Sequence, residues 1–185
     1  MTNAVTVISR LHHHRAWVNE NLLAAAKGLD DEQLRRSFPI GQGSVWKSLL
    51  HLYAAEYVWL EALLGNDDPL LPGDLRGELP GNQRGDHPIA SLAESTEKWH
   101  ELQSRWVSYL ANLPAAALDE PVNKISTSSG HGQRLATRTS DVLMHVCTHA
   151  QYTVAQVVNM LRQLGVEKLP ETMLISMARA DARMS

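Results

Sequence analysis

One cysteine in 185 residues, Cys147, leaves no partner for an internal disulfide and too few thiolates for a Cys-based zinc site. Charge is equally sparse in pattern. The net formal charge is -3, and Lys and Arg do not cluster, so there is no electrostatic footprint for nucleic acid or an anionic membrane. No uninterrupted apolar stretch is long enough to cross a bilayer. The opening residues, MTNAVTVISRLHHHRAW, lack the apolar core and small-residue cleavage site of a signal peptide. These absences predict a soluble, cytoplasmic protein. Also missing are a G-x-S-x-G elbow, a phosphate loop, an H-E-x-x-H zinc motif and a Cys–His nucleophile pair.

What is present is helical periodicity on an ordinary globular composition, 44% hydrophobic and 20% charged. The length suits one domain spanning residues 1–185. A first helix is expected from a Thr2 N-cap to Gly28 as C′ residue, with Val5, Ile8, Leu11, Leu22 and Leu23 in its apolar stripe. A short turn follows, capped by Asp30 or Asp31. The second long helix starts at the Ser44 cap, runs to Gly65 and is apolar nearly all round, as a central bundle helix should be. Residues 66–87 are rich in Pro, Gly and Asp and read as a long crossover loop, long enough to suggest a functional role. A third helix is expected from Pro88 at N1, with Pro114 closing it. Residues 120–138 read as a short hairpin or extended loop. The fourth helix, DVLMHVCTHAQYTVAQVVNMLRQLG, ends at Gly165, and a short last helix begins near Pro170 with Leu169, Met173 and Met177 on one side. Together these predict an all-α four-helix bundle with a long crossover loop and a short C-terminal helix.

The chain holds nine histidines, and three lie in its two most apolar helices: His51, His145 and His149. His145 and His149 are one turn apart, roughly 6 Å along the axis. Imidazoles at that spacing can converge on one ion, and a third from a facing helix would complete a three-ligand site with open positions. Spacing alone leaves open ordinary hydrogen-bonded histidines. On a helical wheel, Tyr152 and Gln156 share the side of His145 and His149, with Thr153 at its margin, so the polar groups converge. His51 shares its own side with Ala54, Ala55, Val58 and Ala62, small neighbours that leave space around the ring.

The order of three stretches resembles the DinB/YfiT-like superfamily of metal-binding four-helix bundles over about residues 8–178. HRAWVNENLLAAAKGLDDEQL is similar to that family's first helix and turn. GSVWKSLLHLYAAEYVWLEALLG matches its second helix at His51 and Trp59. LMHVCTHAQYTVAQVVNMLRQLG resembles a fourth helix that usually reads H-x3-H-x3-H-R-G-Q and ends in L-R-Q-L-G. The resemblance implies an up-down-down-up bundle, frequent homodimerisation, and nickel or zinc held by one histidine of the second helix and two of the fourth. His51 and His149 carry over. The family's final histidine falls on Thr153, Arg-Gly has become Val154-Ala155, and only Gln156 survives of that ending. Thr is a poor ligand for nickel or zinc. Either His145 takes the vacant place on the same face, which is the reading adopted, or the site is weakened or lost.

The resemblance also suggests the chemistry: a metal-dependent transferase or hydrolase, with a low-molecular-weight thiol or other small molecule as substrate. The metal ligands expected are His51, His145 and His149, with Tyr152, Thr153, Gln156 and His14 lining the site. The competing reading is a metal-free small-molecule-binding or stress-response module without catalysis. Of His12, His13 and His14, which span most of a turn, only His14 is expected to reach the interior. Cys147 and the five tryptophans are expected in the core or at interfaces, His131 is expected on an exposed loop, and Glu56 is expected to lie too far round its helix from His51 to act as its base.

Overall fold

The structure, a computed structural model, describes residues 3–128 and 130–184. Its elements are α1 (Ala4–Ala26), α2 (Asp31–Arg35), α3 (Val45–Leu63), α4 (Leu92–Ala111), β1 (Pro121–Ile125), β2 (Arg134–Arg138), α5 (Thr139–Gln163) and α6 (Leu174–Met184). The four long helices α1, α3, α4 and α5 form the bundle.

Side-chain pairs set the directions. His12 of α1 bonds Leu143 O of α5, and Arg15, one turn further along α1, lies within electrostatic reach of Cys147, one turn further along α5, so these two run parallel. His51 and Trp59 of α3 meet His149 and His145 of α5, which is antiparallel. Glu56 and Glu61 of α3 meet Trp99 and Arg105 of α4, parallel again. The topology is therefore up-down-down-up. A parallel α3–α4 pair forces the chain back along the full length of the bundle, which is why residues 64–91 must be long.

The caps follow their local chemistry. Thr2 lies outside the described residues, and the Asn3 side chain accepts from Thr6 N to open α1. Asp30 and Gln33 form a reciprocal capping box on α2, and Ser44 caps α3. Gly165 takes a left-handed φ of 79° just past the C-cap Leu164 of α5. Three expected boundaries move. Gly28 is not left-handed, and α1 ends at Ala26 with Lys27 as its C-cap. α4 starts at Leu92 and not at Pro88, because Ser91 caps Glu94 N while Ile89 N is held upstream by Gln83 Oε1. α6 starts at Leu174, so Leu169 and Met173 precede it, and only Met177 of the expected trio is buried. The hairpin β1–β2 is antiparallel and pairs Pro121 with Arg138 through Ile125 with Arg134.

The core contains a polar centre. Arg15 and Glu56, each 1% exposed, form an ion pair between α1 and α3. Asn19 Nδ2 donates to Glu56 Oε1 (2.7 Å), Trp99 Nε1 to Glu56 Oε2 (3.2 Å), and Arg15 to Gln103 Oε1 (3.1 Å). The Arg15 guanidinium also lies over the Trp106 ring, 4.9 Å from its centroid. Glu56 is thus committed to the core. His12, expected in solvent, is 1% exposed instead; its Nε2 donates to Leu143 O (3.1 Å) and its ring lies 4.8 Å from that of Trp106. His13 stays exposed.

A buried charge left without its partner costs about 3–5 kcal/mol, whereas replacing both charges with apolar groups is often neutral. Arg15→Met and Glu56→Leu should each destabilise the bundle by about that amount, and the double variant should recover most of it in a urea double-mutant cycle.

Burial, and to a lesser degree Arg15, lowers the His12 pKa to about 3, so the ring is neutral in the folded protein where the unfolded chain protonates near 6.5. Between those values the unfolded state binds more protons, and stability falls as pH drops from 6.5 toward 3. His12→Gln should make the pH dependence of unfolding shallower in that window by up to about 1.4 kcal/mol per pH unit, checked by denaturant titration from pH 4 to 7.

Candidate functional site

α3 and α5 cross with two histidines face to face. His51 Nε2 lies 3.2 Å from His149 Nε2, and the rings meet edge to face with centroids 5.1 Å apart. The other nitrogen of His51 fixes its tautomer. Its Nδ1 is 2.9 Å from Pro80 O, a carbonyl that only accepts, so Nδ1 carries the hydrogen and Nε2 the lone pair. His149 then donates from Nε2 to His51. Burial, with His51 and His145 beside it, lowers the His149 pKa to about 4, and burial lowers that of His145 as well. Both are neutral at pH 7, the state a ligand or a general base requires.

His145 joins less closely. Its ring centroid is 5.7 Å from that of His149 and 5.5 Å from that of Trp59, whose ring it meets edge to face. All three histidines line one cavity of about 520 Å³ between α3, α5, the hairpin and the crossover loop. Ala55 and Val58 form its α3 wall, with Trp59. Leu79 and Pro80 come from the crossover, while Lys124, Thr127, Leu135 and Thr137 come from the hairpin side. A second cavity of about 550 Å³ lies across His51, Leu79 and Pro80, with Arg35, Lys47 and Arg84 in its walls.

The other expected lining residues lie elsewhere. Tyr152 is 70% exposed, and Thr153 is buried outside both cavities. Gln156 packs beneath Gly41, where a Cβ would fall 2.1 Å from its Oε1, so the α2–α3 connection occupies that end of the α5 face. His14 is buried but turned toward the C-terminal segment, with Nε2 3.0 Å from Thr172 O. Cys147 is buried, and its thiol pKa is pushed up to about 12 by desolvation, which leaves it protonated and inert. His131 is exposed and hydrogen-bonds Gly77 O (2.7 Å), pinning the hairpin tip to the crossover.

Two imidazole nitrogens on one tetrahedral zinc at 2.0–2.1 Å would stand about 3.3 Å apart. The His51–His149 spacing fits that pair, and the Pro80 carbonyl behind His51 is the usual support for a ligating ring. The third donor is not closed up. Among the described residues, no group of three or more His, Cys, Asp or Glu stands in an arrangement that could hold a metal ion.

A family model described as the DinB superfamily matches residues 12–157. The chain belongs to the DinB superfamily. Protein DinB of Bacillus subtilis (strain 168) is 23% identical over 164 residues, covering 87% of this chain and 88% of that protein. The solved structure of YfiT from Bacillus subtilis superposes with a TM-score of 0.62 at 17% identity, over 85% of this chain and 87% of that one. YfiT is described as a probable metal-dependent hydrolase with an unusual four-helix bundle topology. No helix among the described residues is long and apolar enough to cross a membrane.

This DinB-superfamily chain differs from its sequence-based reading mainly in what surrounds the histidines. Lys124 lines the cavity and did not stand out, since a lysine in a mixed polar stretch reads as solvated; Trp59, which the resemblance matches but which reads as core, lines it as well. The alternation of β1 was the available signal, because it turns Val122 and Lys124 to the same buried side.

The crossover owes its shape to Asp74, whose carboxylate accepts from Gly81 N (2.7 Å), Gln83 N (2.9 Å) and Gln83 Nε2 (2.7 Å). Gly81, at φ 84°, then passes so close to α3 that a Cβ would lie 2.7 Å from the Cα and N of His51. Gly81→Ala should therefore lift Pro80 O from His51, destabilise the protein by about 2–3 kcal/mol, and abolish the slowly exchanging His51 Nδ1–H signal in ¹⁵N NMR.

Proposed function

We propose that the cavity is the active site of a small metal-dependent hydrolase or transferase, and that His51 and His149 hold a divalent ion with His145 as third donor. The observation that carries this reading is the approach of the His51 and His149 Nε2 atoms at 3.2 Å on facing helices, one ring already held from behind by a backbone carbonyl. The likeness to YfiT supports it in kind, since that protein is described as a probable metal-dependent hydrolase.

When bound, such an ion would act as a Lewis acid that lowers the pKa of a water or thiol at neutral pH. The chain's own residues do the rest. Pro80 O keeps the His51 proton on Nδ1 and its lone pair toward the cavity. His149 stays uncharged because burial opposes protonation, and it presents Nε2 once its proton resides on Nδ1. Trp59 bounds the travel of the His145 ring, and Val58, Leu79 and Leu135 shed water from the substrate's path. Nickel and zinc both suit imidazole donors.

The competing reading, a metal-free module that binds a small molecule in this cavity, draws on Thr153 and on the present His149-to-His51 hydrogen bond, which satisfies the pair without an ion. Incubation with nickel or zinc followed by desalting and elemental analysis separates the two. The metal reading expects about one equivalent per chain, and at least a hundredfold weaker binding in His51→Ala and His149→Ala. A protein that emerges metal-free from both incubations sinks it.

A further inference from the structure

The hairpin places a lysine where the histidine chemistry does not need one. Lys124 is 8% exposed, on the inward side of β1, with Nζ 5.4 Å from the centroid of Trp59. Nζ donates to Ile125 O at 3.0 Å. An ammonium has three protons to donate, and Lys124 forms no ion pair among the described residues. Asp68 is the charge whose field reaches it, and the acid in the cavity lining, Asp141, does not pair with it. Burying an ammonium with most of its donors unspent costs stability. Yet Lys124 is among the residues lining the cavity that holds His51, His145 and His149, and its Nζ lies over Trp59, another residue of that lining. A ligand oxygen arriving there would meet a cation already stripped of much of its water, where attraction is strongest.

We propose that Lys124 is the substrate-recognition residue of this cavity, and that it selects molecules carrying a single carboxylate on an apolar body. The inference rests on the reading of the cavity as a substrate site, though not on the presence of a metal. The carboxylate sits on Nζ beside Trp59, and the apolar body lies against Val58, Leu79 and Leu135 in the cavity that the histidines also line. A singly charged group fits better than a phosphate dianion. The lining supplies one ammonium, with no arginine among its residues to meet a second negative charge. Burial also lowers the lysine's pKa, which a bound carboxylate reverses by favouring the charged form.

The test compares 4-phenylbutyrate with its neutral amide, 4-phenylbutyramide, on EDTA-treated protein, by calorimetry and by the shift of the Trp59 Nε1–H resonance. The carboxylate should bind about tenfold more tightly than the amide in the wild type, the size expected of one hydrogen-bonded charge contact. Lys124→Met keeps the stem against Trp59 and removes the charge; it should bring the two ligands within about twofold of each other while melting no lower than wild type. Lys124→Arg, which restores a cation, should restore preference for the acid. His149→Ala should leave that preference intact, so a failed metal reading and a failed lysine reading give different results. Equal binding of acid and amide by the wild type, tighter binding of phenyl phosphate than of the carboxylate, or a preference for the acid that survives in Lys124→Met overturns the proposal.

Discussion

A guanidinium withdrawn from water must meet its counter-charge at once, and in this bundle Arg15 does so in the space between three helices. Glu56 answers it from α3, Asn19 steadies the carboxylate from α1, and Trp99 and Gln103 complete the contacts from α4. An apolar core tolerates many near-equivalent packings, whereas a desolvated ion pair tolerates few. The pair therefore fixes how α1, α3 and α4 are rotated about their axes. Glu56 turned into the core leaves His51 and Ala55 on the α3 face that meets α5. The polar centre and the histidine cavity are two sides of one helix, and the first determines what the second can present.

The parallel run of α3 and α4 imposes the other constraint. The chain must return the length of the bundle, and the returning segment does not cross bare solvent. Asp74 gathers it into a fixed shape, Leu71 anchors it in the core, and its Pro80 carbonyl selects the tautomer of His51. Asp67 and Gly77 then bind the hairpin to the crossover through Ile125 N, Arg134 and His131. A topological necessity has become the wall of a site.

Much of this was legible in the sequence. Helical periodicity gave the four long helices, and the Pro, Gly and Asp content of residues 66–87 marked the crossover. The small residues beside His51 marked the space around it, as Ala55 and Val58 bear out by lining the cavity. What periodicity cannot carry is the identity of a distant partner. His12 reads as one of three polar neighbours until Leu143 and Trp106 are seen to enclose it. Gln156 shares a face with His149 on the wheel, but a wheel does not show where the α2–α3 connection lies across that face. Asp74 looked like one acid among several, because hydrogen bonds that order a loop leave no period in the sequence.

The cavity's walls have two different origins, and this has a consequence for how such a protein diversifies. Its floor belongs to the bundle, where any change is felt by a close-packed core. Its rim belongs to a two-stranded hairpin and a crossover held by exposed polar contacts with Asp67 and Gly77. Substitutions at separated sites without shared partners are close to additive. The rim can therefore exchange Lys124, Thr127, Leu135 or Leu79 for other residues while the histidines and the ion pair below stay in register. A frame divided in this way lets the hairpin be recut without repacking the bundle beneath it.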